Sequence, residues 1–157
     1  MKQNRVETVP QMETLMPLLM EGLEAGRSVR FSPTGISMRP MLRQGIDSVV
    51  LSPIPGRLKK FDLPLYQRDN GQYVLHRVVE AGETYTCIGD NQFAPETGVR
   101  QDQLIAVVTA FYRADKRYSV ENPIYRVYCC LWYHSRHLRW FWRRGINWLR
   151  RRITTVQ

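Results

Sequence analysis

Three side chains in this sequence, Ser37, His76 and Asp90, are of the types that together make a serine nucleophilic. A serine hydroxyl attacks a carbonyl poorly at neutral pH unless a positioned base takes its proton. Histidine does so because its pKa lies near the working pH, and a carboxylate then fixes its tautomer and steadies the imidazolium. Each residue also has a bland reading. Ser37 lies in PTGISMRPML, where a serine flanked by glycine and proline is ordinarily a turn former. His76 occupies one position of QYVLHRVVE, where a lone histidine is ordinarily a half-buried strand residue. Gly89-Asp90-Asn91 is common loop chemistry, because Asp and Asn bond their own backbone. Glu96, on the far side of that loop, adds a second carboxylate.

Bringing such groups together requires a scaffold, and the hydrophobic pattern supplies one. From Val9 to Ala25, Met12, Leu15, Met16, Leu19 and Leu23 recur at helical spacing before Gly26, which predicts a short amphipathic helix whose apolar face packs on a core. Between Ser28 and Arg113 the pattern changes to SVRFS, DSVVLS, LPLYQR, QYVLHRVVE, TYTCIG and LIAVVTAFYR, six short runs separated by turn residues. Asp69-Asn70-Gly71 between two of them predicts a hairpin, since Asn and Gly tolerate positive φ. The fold class is mainly β, with no repeat and no βαβ alternation. After Asn122-Pro123 the helical period returns, with Ile124, Val127, Leu131, Leu138, Trp142 and Leu149 on one side and Arg136, Arg139, Arg143 and Arg150 on the other; Gly145 weakens this helix without forbidding it. The predicted organisation is a helix over 1–27, a β domain over 28–121 and a basic aromatic tail over 122–157.

At 157 residues the chain has room for one domain with a proper core. Its net charge of +9 is unevenly placed: residues 1–121 hold 15 Lys and Arg against 14 acids, while residues 122–157 hold 8 Arg and no acid. All four tryptophans lie in that second stretch. A nearly neutral body argues against a broad nucleic-acid groove. Three cysteines, two of them adjacent, make no disulfide framework, which fits a reducing compartment. Glu7, Gln11 and Glu13 interrupt any apolar signal-peptide region, and no stretch is long and apolar enough to span a bilayer. The expected location is cytoplasmic, or peripheral at the inner face of the membrane.

Taken together, GISMRPML with the following GID, then VLHRVV, then IGDNQ, and finally QDQLIAVV resemble the S24/S26 serine peptidases, the superfamily of signal peptidases and self-cleaving SOS repressors. The resemblance runs over residues 28–112. It implies a signal-peptidase-like β domain in which Ser37 is the nucleophile. His76 stands where many members carry a lysine base, so the chain looks like the Ser-His branch of endoplasmic-reticulum-type and sporulation-type signal peptidases. Asp90 would then be the orienting acid, and Glu96 stands where that branch often has another aspartate. The oxyanion hole would come mainly from the backbone N–H of Ser37, in the turn that Gly35 and Met38 flank. Two details depart from the pattern: GID replaces a usual Gly-Asp, and Glu96 carries one methylene more than an aspartate.

The resemblance implies a serine endopeptidase that removes a leader or signal-like segment from a specific peptide or protein, cleaving after small residues in a segment added as a strand, with no metal or cofactor. Two alternatives stay open: an inactive domain that binds peptides in a regulatory role, and a self-cleaving switch. Against the switch, 25 residues before the β domain are too few for a helix-turn-helix module. For the tail, tryptophan and arginine favour a helix lying on an anionic membrane surface over one packed on the body with its arginines exposed, and nucleic acid is the least favoured partner. His134 and His137, with Cys130, are a poor metal set.

Overall fold

The computed structural model describes residues 12–142, with side chains from residue 15 onward. The chain begins with helix α1 (Met12–Glu24) and strands β1 (Val29–Phe31) and β2 (Ser48–Ser52). It continues through β3 (Pro64–Gln67), β4 (Tyr73–Leu75), β5 (Arg77–Ala81), β6 (Tyr85–Ile88) and β7 (Glu96–Val99). It ends with the long β8 (Leu104–Arg113), β9 (Lys116–Ser119) and helix α2 (Pro123–His134), after which residues 136–142 are again helical. The described residues thus form a mainly β fold with nine strands in two antiparallel sheets.

The larger sheet runs β1-β2-β8-β3-β4, with β9 also paired to β8. Its strands alternate between two cores, because successive side chains point to opposite faces. Leu65, Leu75, Ala106 and Val108 face one core, which α1 closes with Met16, Leu19 and Leu23. Tyr66, Val74 and Val107 face the other, closed by Val78, Tyr85, Cys87 and Val99 of the small sheet β5-β6-β7. The predicted apolar face of the first helix is therefore core-facing, and Gly22 lets α1 approach closely: a Cβ there would lie 2.7 Å from Val29 Cγ2.

Where the sequence pattern gives six strands, the structure has more, for local reasons. QYVLHRVVE is not one strand. It breaks at His76 into β4, which belongs to the large sheet, and β5, which belongs to the small one. β7 lies in DNQFAPETG, whose turn residues predict a loop, and β9 pairs back on β8 after the turn that holds Ala114 at φ 53°. The Asp69-Asn70-Gly71 hairpin forms between β3 and β4, with positive φ at Gly71 alone. Asn70 contributes instead through its side chain, which accepts from the Gln72 N–H at 3.1 Å.

α2 starts where the sequence predicts. Pro123 occupies the first turn, and the Asn122 side chain accepts from the Ile124 N–H at 2.9 Å. Its orientation reverses the expectation for a packed helix with an exposed arginine face. Tyr125, Tyr128, Cys129 and Trp132 lie on the body side, with Tyr125 against Phe111 at 5.1 Å between ring centroids. Ile124, Val127, Leu131, Leu138 and Trp142 are all more than half exposed. The body selects this face because the Tyr125 hydroxyl accepts from Arg77 and the Trp132 indole donates to the Asp90 carbonyl, buried polar groups that aliphatic side chains would leave without these partners. Leu149, Trp148, Arg143, Arg150 and Gly145 lie outside the described residues, as do Val9 to Gln11.

Candidate active site

Four segments converge on one region, and strand register explains why. In the β3–β4 hairpin Tyr66 pairs with Val74, which sets His76 on its diagonal. In the small sheet Arg77 pairs with Ile88, so the Gly89-Asp90-Asn91 turn that follows Ile88 lies beside Arg77. Glu96 opens β7 opposite Cys87, one strand away. The fourth segment is the turn of residues 33–42, which contains the cis peptide Arg39-Pro40.

Ser37 sits in that turn, half-buried, and is held by its backbone. The Asn91 N–H donates to the Ser37 carbonyl at 2.8 Å, and the Asn91 side-chain amide donates to the Ile36 carbonyl at 3.3 Å. Gly89 must lack a side chain for this approach, since a Cβ would come within 2.8 Å of the Ser37 carbonyl oxygen. Ser37 and His76 line the same cavity, of about 440 Å³, between the turn and β4; Gly35 and Met38 line it as well. Gly35 has φ 96°, a conformation that favours glycine. Met38 is buried and anchors the turn in the α1-side core. Among the described residues the Ser37 hydroxyl makes no hydrogen bond; such contacts often close only when substrate is bound.

His76 is 3% exposed. Its Nδ1 lies 3.3 Å from the Tyr66 hydroxyl, and that hydroxyl donates to Glu96 Oε2 at 2.7 Å. Because the Tyr66 proton is committed to Glu96, the imidazole must carry its own proton on Nδ1 and donate to Tyr66. Nε2 is then the unprotonated nitrogen, the form a general base needs. Arg68 holds Glu96 with two bonds, 2.8 and 2.6 Å. This guanidinium keeps Glu96 below the usual carboxylate range, while burial and the Glu96 bond push the Tyr66 hydroxyl up. Burial, followed by the nearby Arg68 charge, lowers His76 from its ordinary 6.5 to about 4. The imidazole is neutral at neutral pH.

Asp90, the expected partner of His76, is hydrogen-bonded to Arg77 instead. Both its oxygens are bound by Arg77, from Nε and Nη2 at 2.8 Å each, in a pair whose side chains are only 2% exposed. Arg77 also donates to the Phe61 carbonyl, the Tyr125 hydroxyl, Cys129 Sγ and Met41 Sδ. The carboxylate linked to His76 is Glu96, through Tyr66. Arg77, Tyr66 and Arg68 join the site without a motif that marks them. For Arg77 a signal was present: an arginine inside the apolar run VLHRVV must be buried with a partner or break the strand. Tyr66 carried none, since aromatic residues are ordinary in strands.

The GID segment has a structural task. Asp47 accepts from the backbone and guanidinium of Arg43 and from the Ala114 N–H, joining this turn to the β8–β9 hairpin, and Arg43 holds its carboxyl at about 2. Among the described residues no cluster of three metal-ligating side chains forms, the His134, His137 and Cys130 set included. No described helix is long and apolar enough to cross a membrane. No family model, curated protein or solved structure matches the chain.

Proposed function

We propose that this protein is a serine endopeptidase of the signal-peptidase-like kind, cutting a leader or signal-like segment from a specific peptide or protein. The observation that carries the reading is the shared cavity: Ser37 on one wall, and on the other a buried neutral histidine whose Nδ1 is held by the Tyr66–Glu96 pair. Among the described residues β4 pairs only with β3, which leaves its outer edge, beside the cavity, for an extended substrate strand. In the proposed reaction, Ser37 Oγ attacks the scissile carbonyl carbon as its proton passes to His76 Nε2. The tetrahedral intermediate collapses, the C–N bond breaks and His76 returns the proton to the leaving amine. Water, deprotonated by the same imidazole, then releases the acyl group and restores the serine. The turn of residues 35–38 would supply backbone N–H groups to the oxyanion.

A fluorophosphonate probe tests this directly. The wild-type chain should label at Ser37, and Ser37→Ala and His76→Ala should lose the label while keeping their circular dichroism. Equal labelling of wild type and Ser37→Ala would overturn the assignment. A second reading, a regulatory domain that binds peptides without cutting them, is favoured by the free Ser37 hydroxyl. It predicts no label on a correctly folded chain.

A further inference from the structure

The second half of the molecule carries a surface that the catalytic reading does not use. α2 ends at a turn on Ser135, whose N–H bonds the Leu131 carbonyl and whose carbonyl accepts from the Arg139 N–H, so that the helical residues 136–142 follow α2 directly. On its own helical projection each segment keeps its exposed apolar residues on one side, Ile124, Val127 and Leu131 on α2 and Leu138, Phe141 and Trp142 on the helical residues after the turn. All six are 57% exposed or more. The opposite arc holds Tyr125, Cys129 and Trp132, which bind the body. An aliphatic and aromatic stripe of this length facing outward is far more than the scattered exposed leucine of an ordinary surface.

What covers the stripe is decided by charge. Residues 122–157 contain eight arginines and no acidic residue. A second copy carries a segment of the same unopposed charge and so repels the first, whereas an anionic bilayer attracts that charge and takes up the exposed apolar side chains. Tryptophan and phenylalanine at the end of the stripe suit the headgroup boundary. We propose that this outward face docks the protein on an anionic lipid bilayer. Its inner face would meanwhile hold the Gly89-Asp90-Asn91 turn on which Ser37 rests: Trp132 Nε1 donates to the Asp90 carbonyl at 2.8 Å, and Trp140 stacks on Phe93 at 5.1 Å. The two helical segments would thus fix the groove's orientation to the membrane. The docking itself does not depend on the peptidase reading.

The test is co-sedimentation of the full chain with vesicles of mixed phosphatidylglycerol and phosphatidylcholine, against vesicles of phosphatidylcholine alone. The wild type should pellet with the anionic vesicles and much less with the neutral ones. Each of Leu131→Glu and Leu138→Glu should weaken that binding about tenfold, the loss expected when one leucine no longer enters the apolar layer. Both positions are exposed, so the fold should be kept, as circular dichroism would verify. Absence of vesicle binding would overturn the proposal, as would binding that both variants leave unchanged. A concentration-dependent dimer abolished by Leu131→Glu would assign the stripe to a second copy instead, and tighter binding to duplex DNA than to vesicles would assign the basic face to nucleic acid.

Discussion

Two carboxylates six residues apart in the chain, Asp90 and Glu96, end in different environments although each is paired with an arginine. Asp90 and Arg77 are sealed beneath α2, where all the surrounding groups belong to the fold: Tyr125, Cys129 and Met41 on the arginine, Trp132 on the aspartate's backbone. Glu96 and Arg68, the latter on the cavity wall, stay partly open, side chains 28% and 31% exposed, and Glu96 reaches the histidine through Tyr66. The first pair locks elements together; the second acts on the protonation of a buried histidine. Chain order alone suits both carboxylates equally well to either task.

The largest test of that division is Arg77→Ala. It strands a buried aspartate and should cost about 3–5 kcal/mol in urea unfolding, whereas Arg68→Gln, at the surface, should cost about 1 kcal/mol or less. Comparable losses would erase the distinction. Next is the pH dependence of stability. His76 is near 4 when folded and near 6.5 when unfolded, so in this window the unfolded chain binds the extra proton. Its stabilising effect is full above 6.5 and is lost as pH falls toward 4, a change on the order of 3 kcal/mol. His76→Gln should flatten that slope, and an unchanged slope would place the proton uptake elsewhere.

A smaller effect concerns the histidine itself. Removing the Arg68 charge should raise the His76 pKa from about 4 toward 6.5, seen as an imidazole NMR titration and, for an active enzyme, as an upward move of the acid limb of kcat/KM. No movement would mean that burial alone depresses it. The smallest effect is expected of Trp132→Phe, which keeps the ring but loses the bond to the Asp90 carbonyl, and should destabilise the protein by about 1 kcal/mol. A loss as large as that of Arg77→Ala would make the indole, not the ion pair, the main lock between helix and turn.

The two helices show how far the sequence could be read. Both have an apolar stripe at helical spacing, and the pattern correctly marks both as helices. For α1 the stripe is the buried face: Met16, Leu19 and Leu23 are each 7% exposed or less. For α2 the stripe is the exposed face, because the body offers its polar groups, Arg77 and the Asp90 carbonyl, to a neighbour that must accept or donate hydrogen bonds. Period identifies a helix; complementarity chooses its inner side. His76 makes the same point within a strand pattern. Alternation reads one continuous run, yet the chain leaves one sheet and enters the other at that residue.

By itself the sequence determined the mainly β class, the α1 core face and the start of α2, because these depend on local periodicity and turn chemistry. Only the tertiary structure decided which acid meets the histidine, which arginine neutralises Asp90 and which side of α2 faces outward. Those outcomes depend on strand register and on the pairing of buried polar groups between distant segments, and no local window of sequence contains both partners.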